Sequence, residues 1–283
     1  MEKEEVRKII QDNIRNQIEL DIKENNDGVA VTSSKIGGKP SVPADFEWPK
    51  YHAKWFEEGE SLPLTFWAQF NLEEVSKYDK DGILPKKGML SFFYCLTEDE
   101  LFWGTNPSEK GSARIYYFED VLSLVEAEFP EDLSDEFTIS EKAVTFKENI
   151  SYPTSEYLCE KYRTCPWDEY HECMEETGYY ELPLCHDKLL GHSEFVQHCS
   201  EYLCEVVHRG YNADFPNGRE FSDEEEKLIL GELDNWVHLY QLDPSFAPYD
   251  YKLGVDGTIH FYIKREDLQA LNFDNIEYIL DCS

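Results

Sequence analysis

Apolar residues recur at Val6, Ile9, Ile10, Ile14 and Ile18 with charges between them. That spacing predicts one amphipathic helix over residues 3–24, docked on the body of the protein. The run NNDG at 25–28 ends it, and residues 28–33 form a short β-rich run. A loop rich in glycine, proline and tryptophan follows. LTFWAQF (64–70), GMLSFFYCL (88–96), RIYYF (114–118) and AVTF (143–146) then read as strands, with one or two helical turns over 72–78. The middle of the chain changes character. Pro166 opens a helix running to Thr177, and Ser222 with Glu225 spells a capping box that opens another to about residue 233. Strands return at 236–242, 257–263 and 276–282.

Two of the β-rich runs match. FWAQFN (66–71) leads through a loop to GMLSFF (88–93), and HLYQLD (238–243) leads through a loop to GTIHFY (257–262). Each has a glutamine ending an apolar strand, an Asn or Asp two residues on, and a glycine opening an aromatic strand. The match predicts a duplicated β unit. The expected fold is α+β: an N-terminal helix (1–27), then one domain (28–283). That domain comprises a β-rich half at 28–150, a helical middle at 151–233 and a β-rich half at 234–283. A glutamine in an apolar strand needs hydrogen-bond partners. Gln69 and Gln241 therefore either brace equivalent loops or line one shared cleft. With Asp243 and the loop carrying Gly37, Gly38 and Pro40, they are the candidate binding residues.

SKIGGKP (34–40) is a turn rather than a phosphate cradle. It has neither P-loop spacing nor the Gly-x-Gly-x-x-Gly of a dinucleotide fold. Pro40 and Pro43 keep a helix from starting after the glycines, so no helix N-terminus faces a phosphate there. The glycines permit positive φ, and the prolines fix an extended exit.

Charge narrows the partners. Against 26 bases stand 59 acids, a formal net charge of −33. Such a surface repels phosphate backbones and anionic lipid and attracts a basic protein or a cation. The acids cluster at 126–136, 168–176 and 223–226 without forming a separate tail. The start, MEKEEVRKII, has no apolar leader, and no apolar run is long enough to span a bilayer. The expectation is a cytoplasmic protein with reduced cysteines, without nucleic-acid or membrane contacts.

Several motifs in order resemble the YwqG-like family, DUF1963, a domain of unknown function: SKIGGKP (34–40), LTFWAQF (64–70), KGMLSFF (87–93), KLLG (188–191) with Gln197, residues 236–243 and residues 257–263. The likeness spans about residues 30–283. It implies a bacterial cytosolic α+β protein with an internal duplication, brings no catalytic residues, and hints at toxin–immunity loci. The chain departs from the family pattern at Gly254-Val-Asp256-Gly257, where Gly-Asp-x-Gly is usual, and at His192, where tyrosine is usual.

Familiar chemistries fit poorly. Six of the eight cysteines (Cys159, Cys165, Cys173, Cys185, Cys199, Cys204) lie in the middle, as do His171, His186, His192, His198 and His208. Zinc sites pair close ligands; only Cys199 with Cys204 and His171 with Cys173 fall within such reach, so no cofactor is expected. Neither a Gly-x-Ser-x-Gly elbow nor a calcium loop occurs. The expected function is a non-catalytic acidic binding protein that neutralises a basic protein partner, as an immunity protein does. The alternative is an enzyme or small-ligand protein with its cleft between the two halves.

Overall fold

A computed structural model of the chain describes residues 1–24, 27–53, 60–98, 100–181, 187–194, 198–214, 218–244 and 257–282. Ten strands form one antiparallel sheet: β1 Arg15–Glu24, β2 Lys35–Ile36, β3 Thr65–Asn71, β4 Met89–Tyr94, β5 Ala113–Phe118, β6 Lys142–Ser151, β7 Lys188–Leu190, β8 Trp236–Leu242, β9 Gly257–Lys264 and β10 Ile276–Cys282. The spatial order is β10-β9-β8-β7-β1-β6-β2-β3-β4-β5. The long pair β1 and β6 forms the centre, and four strands extend from each side of it. Its two ends meet: Leu280 of β10 donates to the Trp103 carbonyl ahead of β5 at 2.9 Å, and Ser112 Oγ and the Tyr278 hydroxyl are 2.6 Å apart. The sheet is thus nearly closed.

Alternation along the strands fills the interior. Phe70 and Phe92 from one side meet Tyr240 from the other at ring distances of 5.0 and 5.1 Å, and Phe92 meets Phe261 at 5.3 Å. Ile18 of β1 and Leu189 of β7 are buried in the same core. The outer faces are covered differently. Loop residues Phe46 and Trp48 pack on Phe93 of β4. Across the molecule α5 (Ser200–His208) lays Leu203 and Cys204 on Trp236, Tyr262 and Ile279. Beside it, α1 (Lys3–Asp12) and α4 (Trp167–Glu176) enclose a second cluster with Val6, Ile10, Tyr170 and Met174.

The N-terminal expectation needs correcting. The helix ends at Asp12, and Arg15–Glu24 is a strand paired over its whole length with β6. Ile18, Leu20 and Ile22 alternate, and pairing on both sides outweighs a helical spacing that Ile14 and Ile18 satisfy by chance. Residues 28–33 are turn rather than strand, with Ser33 N bonded to the Ala30 carbonyl. The middle is not wholly helical either: α3 (Ser155–Tyr162), α4, α5 and α6 (Asp223–Leu230) are interrupted by β7, which joins β1 to the C-terminal strands. The helical turn α2 (Leu72–Val75), the capping box at Ser222 and the strand at 276–282 stand where the pattern placed them.

Candidate functional site

The glycine turn folds inward. Gly37 and Gly38 take φ of 60° and 67°, and a Cβ on Gly37 would lie 2.4 Å from the Ser140 carbonyl oxygen. Their amides donate to the Trp67 and Ile139 carbonyls at 2.8 and 2.7 Å, so neither faces a ligand. Beyond the turn, the Pro40 carbonyl accepts from Ala127 N. Gln69 is fully buried behind this loop. Its Oε1 accepts from Ser41 N at 2.8 Å, and its Nε2 donates to the Ser33 carbonyl at 2.9 Å and to Ser41 Oγ at 3.0 Å.

Gln241 occupies the corresponding place across the sheet. Lys35 pairs with Gln69 in register, and Lys188 pairs with Gln241. A bulge precedes each glutamine, between Phe66 and Ala68 and between His238 and Tyr240. Gln241 Oε1 accepts from Glu194 N at 3.0 Å; Glu194 follows Lys188 as Ser41 follows Lys35. The turn after Lys188 carries Leu190 and Gly191 at φ of 60° and 78°. Asp243 is buried just past the end of β8.

Both glutamines brace loops on the outer faces, since their strand neighbours Phe70 and Tyr240 point into the aromatic interior. Among the described residues, the side-chain partners of each belong to its own loop: Ser33 and Ser41 for Gln69, Glu194 for Gln241. The two lysines are the residues that the sequence reading passed over. Each side chain is 1% exposed. Lys35 Nζ lies 2.8 Å from Glu141, and Lys188 Nζ lies 2.9 Å from Glu194 and 3.1 Å from Gln17 Oε1. The signal was present in SKIGG (34–38) beside DKLLG (187–191). Ion-paired and shut from solvent, these ammonium groups tie strands to loops.

The four residues weighed as zinc ligands meet different partners. Cys173 Sγ faces the Lys3 carbonyl, His171 pairs with the Tyr180 hydroxyl at 2.6 Å, Cys199 starts α5, and Cys204 belongs to the Trp236 cluster. Burial pushes the thiols of Cys173, Cys199 and Cys204 up. Among the described residues, no three His, Cys, Asp or Glu side chains are grouped to hold a metal. Cys185, His186, Gln197, Gly254 and Asp256 lie outside the described residues.

Three imidazoles are buried on the C-terminal side. His238 and His260 lie 5.6 Å apart, and His192 Nε2 is 2.7 Å from the Asn13 carbonyl. Burial holds all three below the ordinary histidine range, His260 down to about 3, with the charge of Lys188 adding to the effect.

A cavity of about 140 Å³ opens where the two ends of the sheet meet. The turn Pro107–Glu109 forms one wall, the start of β10 another, and the end of α5 its floor. Glu109 Oε2 accepts from Gly104 N at 2.6 Å. Across the cavity, His208 Nδ1 stands 3.3 Å from Glu277 Oε1. Burial, reinforced by the nearby Asp214, pushes the Glu109 carboxyl up to about 7. A titratable acid, an imidazole and a second carboxylate in one recess can receive a cationic head group or exchange a proton.

A family model described as a domain of unknown function, DUF1963, matches residues 34–282. No curated protein matches the chain.

Proposed function

The chain belongs to the DUF1963 family, and from there we propose that it is a non-catalytic binding protein whose acidic surface engages and neutralises a basic protein partner in the cytoplasm of a bacterium. The observation that carries this reading is how its few cations are used. Lys3 is held by Glu172 and Glu176, Arg7 by Glu4 and Glu176, Lys161 by Asp234, and Lys264 by Glu205 and Glu232. Cations tied up in this way leave the surplus of −33 unscreened at the surface. That field steers a basic protein inward and repels nucleic acid and anionic membrane. We further propose that the two sides of the sheet descend from one duplicated β unit. The matched lysine–glutamine registers, bulges and positive-φ turns support this.

The test is capture of tagged protein from its native cell at low salt, elution at stepped salt, and titration of the purified partner. A basic protein released in stoichiometric amounts is expected, with affinity falling at least roughly tenfold from about 0.05 to about 0.5 M salt. Binding indifferent to salt overturns the reading. A second reading, a small-ligand or catalytic cleft between the two sides of the sheet, is favoured by the cavity at Glu109. It predicts turnover or binding of a small molecule that needs no protein partner.

A further inference from the structure

The walls of the seam cavity are fixed by backbone contact. Gly104 has a φ of 75°, and a Cβ there would lie 1.9 Å from the Tyr278 carbonyl oxygen. Any larger residue would pry the loop off β10. Asn106 caps the turn, its Oδ1 accepting from Ser108 N at 3.0 Å and from Ser108 Oγ at 2.8 Å. At its far end the Glu109 carbonyl accepts from Ser112 N at 3.0 Å. Ala213 N bonds the Thr105 carbonyl at 2.8 Å and clasps the loop from outside. Glu109 is therefore held in place rather than free to swing into solvent.

The charged groups that act on the Glu109 carboxylate are acids, while Lys110 and the Arg114 guanidinium beside Gly111 stand near the same cavity without pairing with it. From the neighbouring elements it is faced by Asp214, Glu100, Tyr51 and Tyr278. Within the cavity stand His208, already engaged with Glu277, and Lys110, exposed at the rim. Among the described residues, no lysine or arginine forms an ion pair with Glu109. Carboxyl groups thus stand on opposing walls, with the apolar faces of Val207, Ile276 and Tyr278 beside them. Sites for drug-sized ligands run to roughly 300–1,000 Å³. The 140 Å³ here suits one side-chain head.

We propose that this cavity is the socket for the guanidinium head of an arginine supplied by the basic partner; the proposal rests on the acidic-binding reading above. A guanidinium is planar and weakly hydrated, and its forked donors reach acceptors on two walls at once, whereas a compact ammonium serves one. The arginine stem would lie along the apolar side. Seating the cation displaces the Glu109 proton to solvent, so the same step that fills the socket charges its wall.

The experiment is calorimetric titration of the full chain with methylguanidinium, and in parallel with methylammonium, between about pH 5 and about pH 9. Methylguanidinium is expected to bind one to one and more tightly than methylammonium. Its affinity should rise up to about tenfold per pH unit below pH 7 and level off above. Glu109→Gln should lose at least about tenfold in affinity and most of the pH dependence. The glutamine can still accept from Gly104 N, so the fold should hold; a circular-dichroism melt checks this. Should that variant fail to fold, Glu277→Gln supplies the same reading from the other wall. No methylguanidinium binding, equal binding of methylammonium, or unchanged binding by a folded Glu109→Gln overturns the socket. Salt-stepped capture with the same proteins separates the two ideas. A basic partner retained without methylguanidinium binding removes the socket and leaves the acidic-binding reading standing. Methylguanidinium binding with no basic partner captured removes that reading, and with it the arginine as occupant.

Discussion

After β2 the chain turns through Gly37 and Gly38, and at the end of β7 it turns through Leu190 and Gly191, with φ values of 60° and 67° in the first turn and 60° and 78° in the second. The same backbone path is therefore made once with two glycines and once with a leucine in the left-handed region. What lies behind each turn explains the choice. A Cβ at Gly37 would run into the Ser140 and Ile139 carbonyls at 2.4 and 2.5 Å, so no side chain fits. Leu190 instead finds room in the core, where it is 3% exposed. Its burial offsets a strain of about 1–2 kcal/mol. The two sides of the sheet thus share backbone geometry while filling it differently.

The hardest blow to this comparison is a swap of the turn residues. Gly37→Leu should cost at least about 3 kcal/mol, because backbone atoms must move and the left-handed strain is added. Leu190→Gly relieves strain but loses a buried side chain, a net cost of about 1–3 kcal/mol. Urea denaturation of both variants checks the order. Equal costs would mean that the turns are alike only in φ. Next come the lysines. Lys188→Met strips Gln17 Oε1, on a residue 5% exposed, as well as Glu194. It should cost about 2–4 kcal/mol. Lys35→Met frees Glu141, which is 23% exposed and can be hydrated, so about 1–2 kcal/mol is expected. The reverse order would show that the Lys35 pairing, not the Lys188 pairing, carries more of the fold.

Legibility in the sequence followed the range of the signal. Strands 236–242 and 276–282 alternate or run apolar over their length, and the capping box at Ser222 is local; both stood out. The two glutamine strands stood out because their aromatic partners lie close in sequence. Arg15–Glu24 misled because Ile14 and Ile18 fit the period of the preceding helix, whereas its partner β6 lies more than a hundred residues away. The two-residue β2 and three-residue β7 are too short to show a period, which hid the paired lysines. Nothing local marks the seam cavity, since Glu109, His208 and Glu277 meet only when the sheet closes on itself.

Acid should distinguish the two sides more gently. His260 pairs with Gln241 where Ser91 pairs with Gln69, so the imidazole has no counterpart in the N-terminal side. Its folded pKa, about 3, lies below the unfolded value near 6.5. The unfolded chain therefore binds the extra proton between those limits, and stability falls as pH drops below about 6.5. His192 and His238 act in the same direction. Glu109, raised to about 7, acts oppositely, gaining stability as pH falls toward the unfolded carboxyl value. His260→Ser should lessen the acid slope by up to about 1.4 kcal/mol per pH unit, read from urea midpoints at a series of pH values. An unchanged slope would place the acid sensitivity elsewhere.

The smallest effect concerns the covers rather than the sheet. Cys199, at the N-cap of α5, makes no side-chain cap bond, and α5 is held by burial of Leu203, Cys204, Val206 and Val207. By contrast α6 buries only Ile229 and relies on its ends. Ser222 Oγ accepts from Glu225 N at 3.4 Å while the Glu225 carboxylate accepts from Ser222 N at 3.0 Å. Ser222→Ala removes half of that exchange, and hydrogen-exchange protection of α6 should fall roughly fivefold. Amides of α5 and of β8–β10 should keep theirs, because they are held by burial of Leu203 and Cys204 against Trp236, Tyr262 and Ile279. A loss reaching β8–β10 would show that the helical cover and the C-terminal strands open together, and the contrast with the loop-covered N-terminal side would then extend from packing to cooperativity.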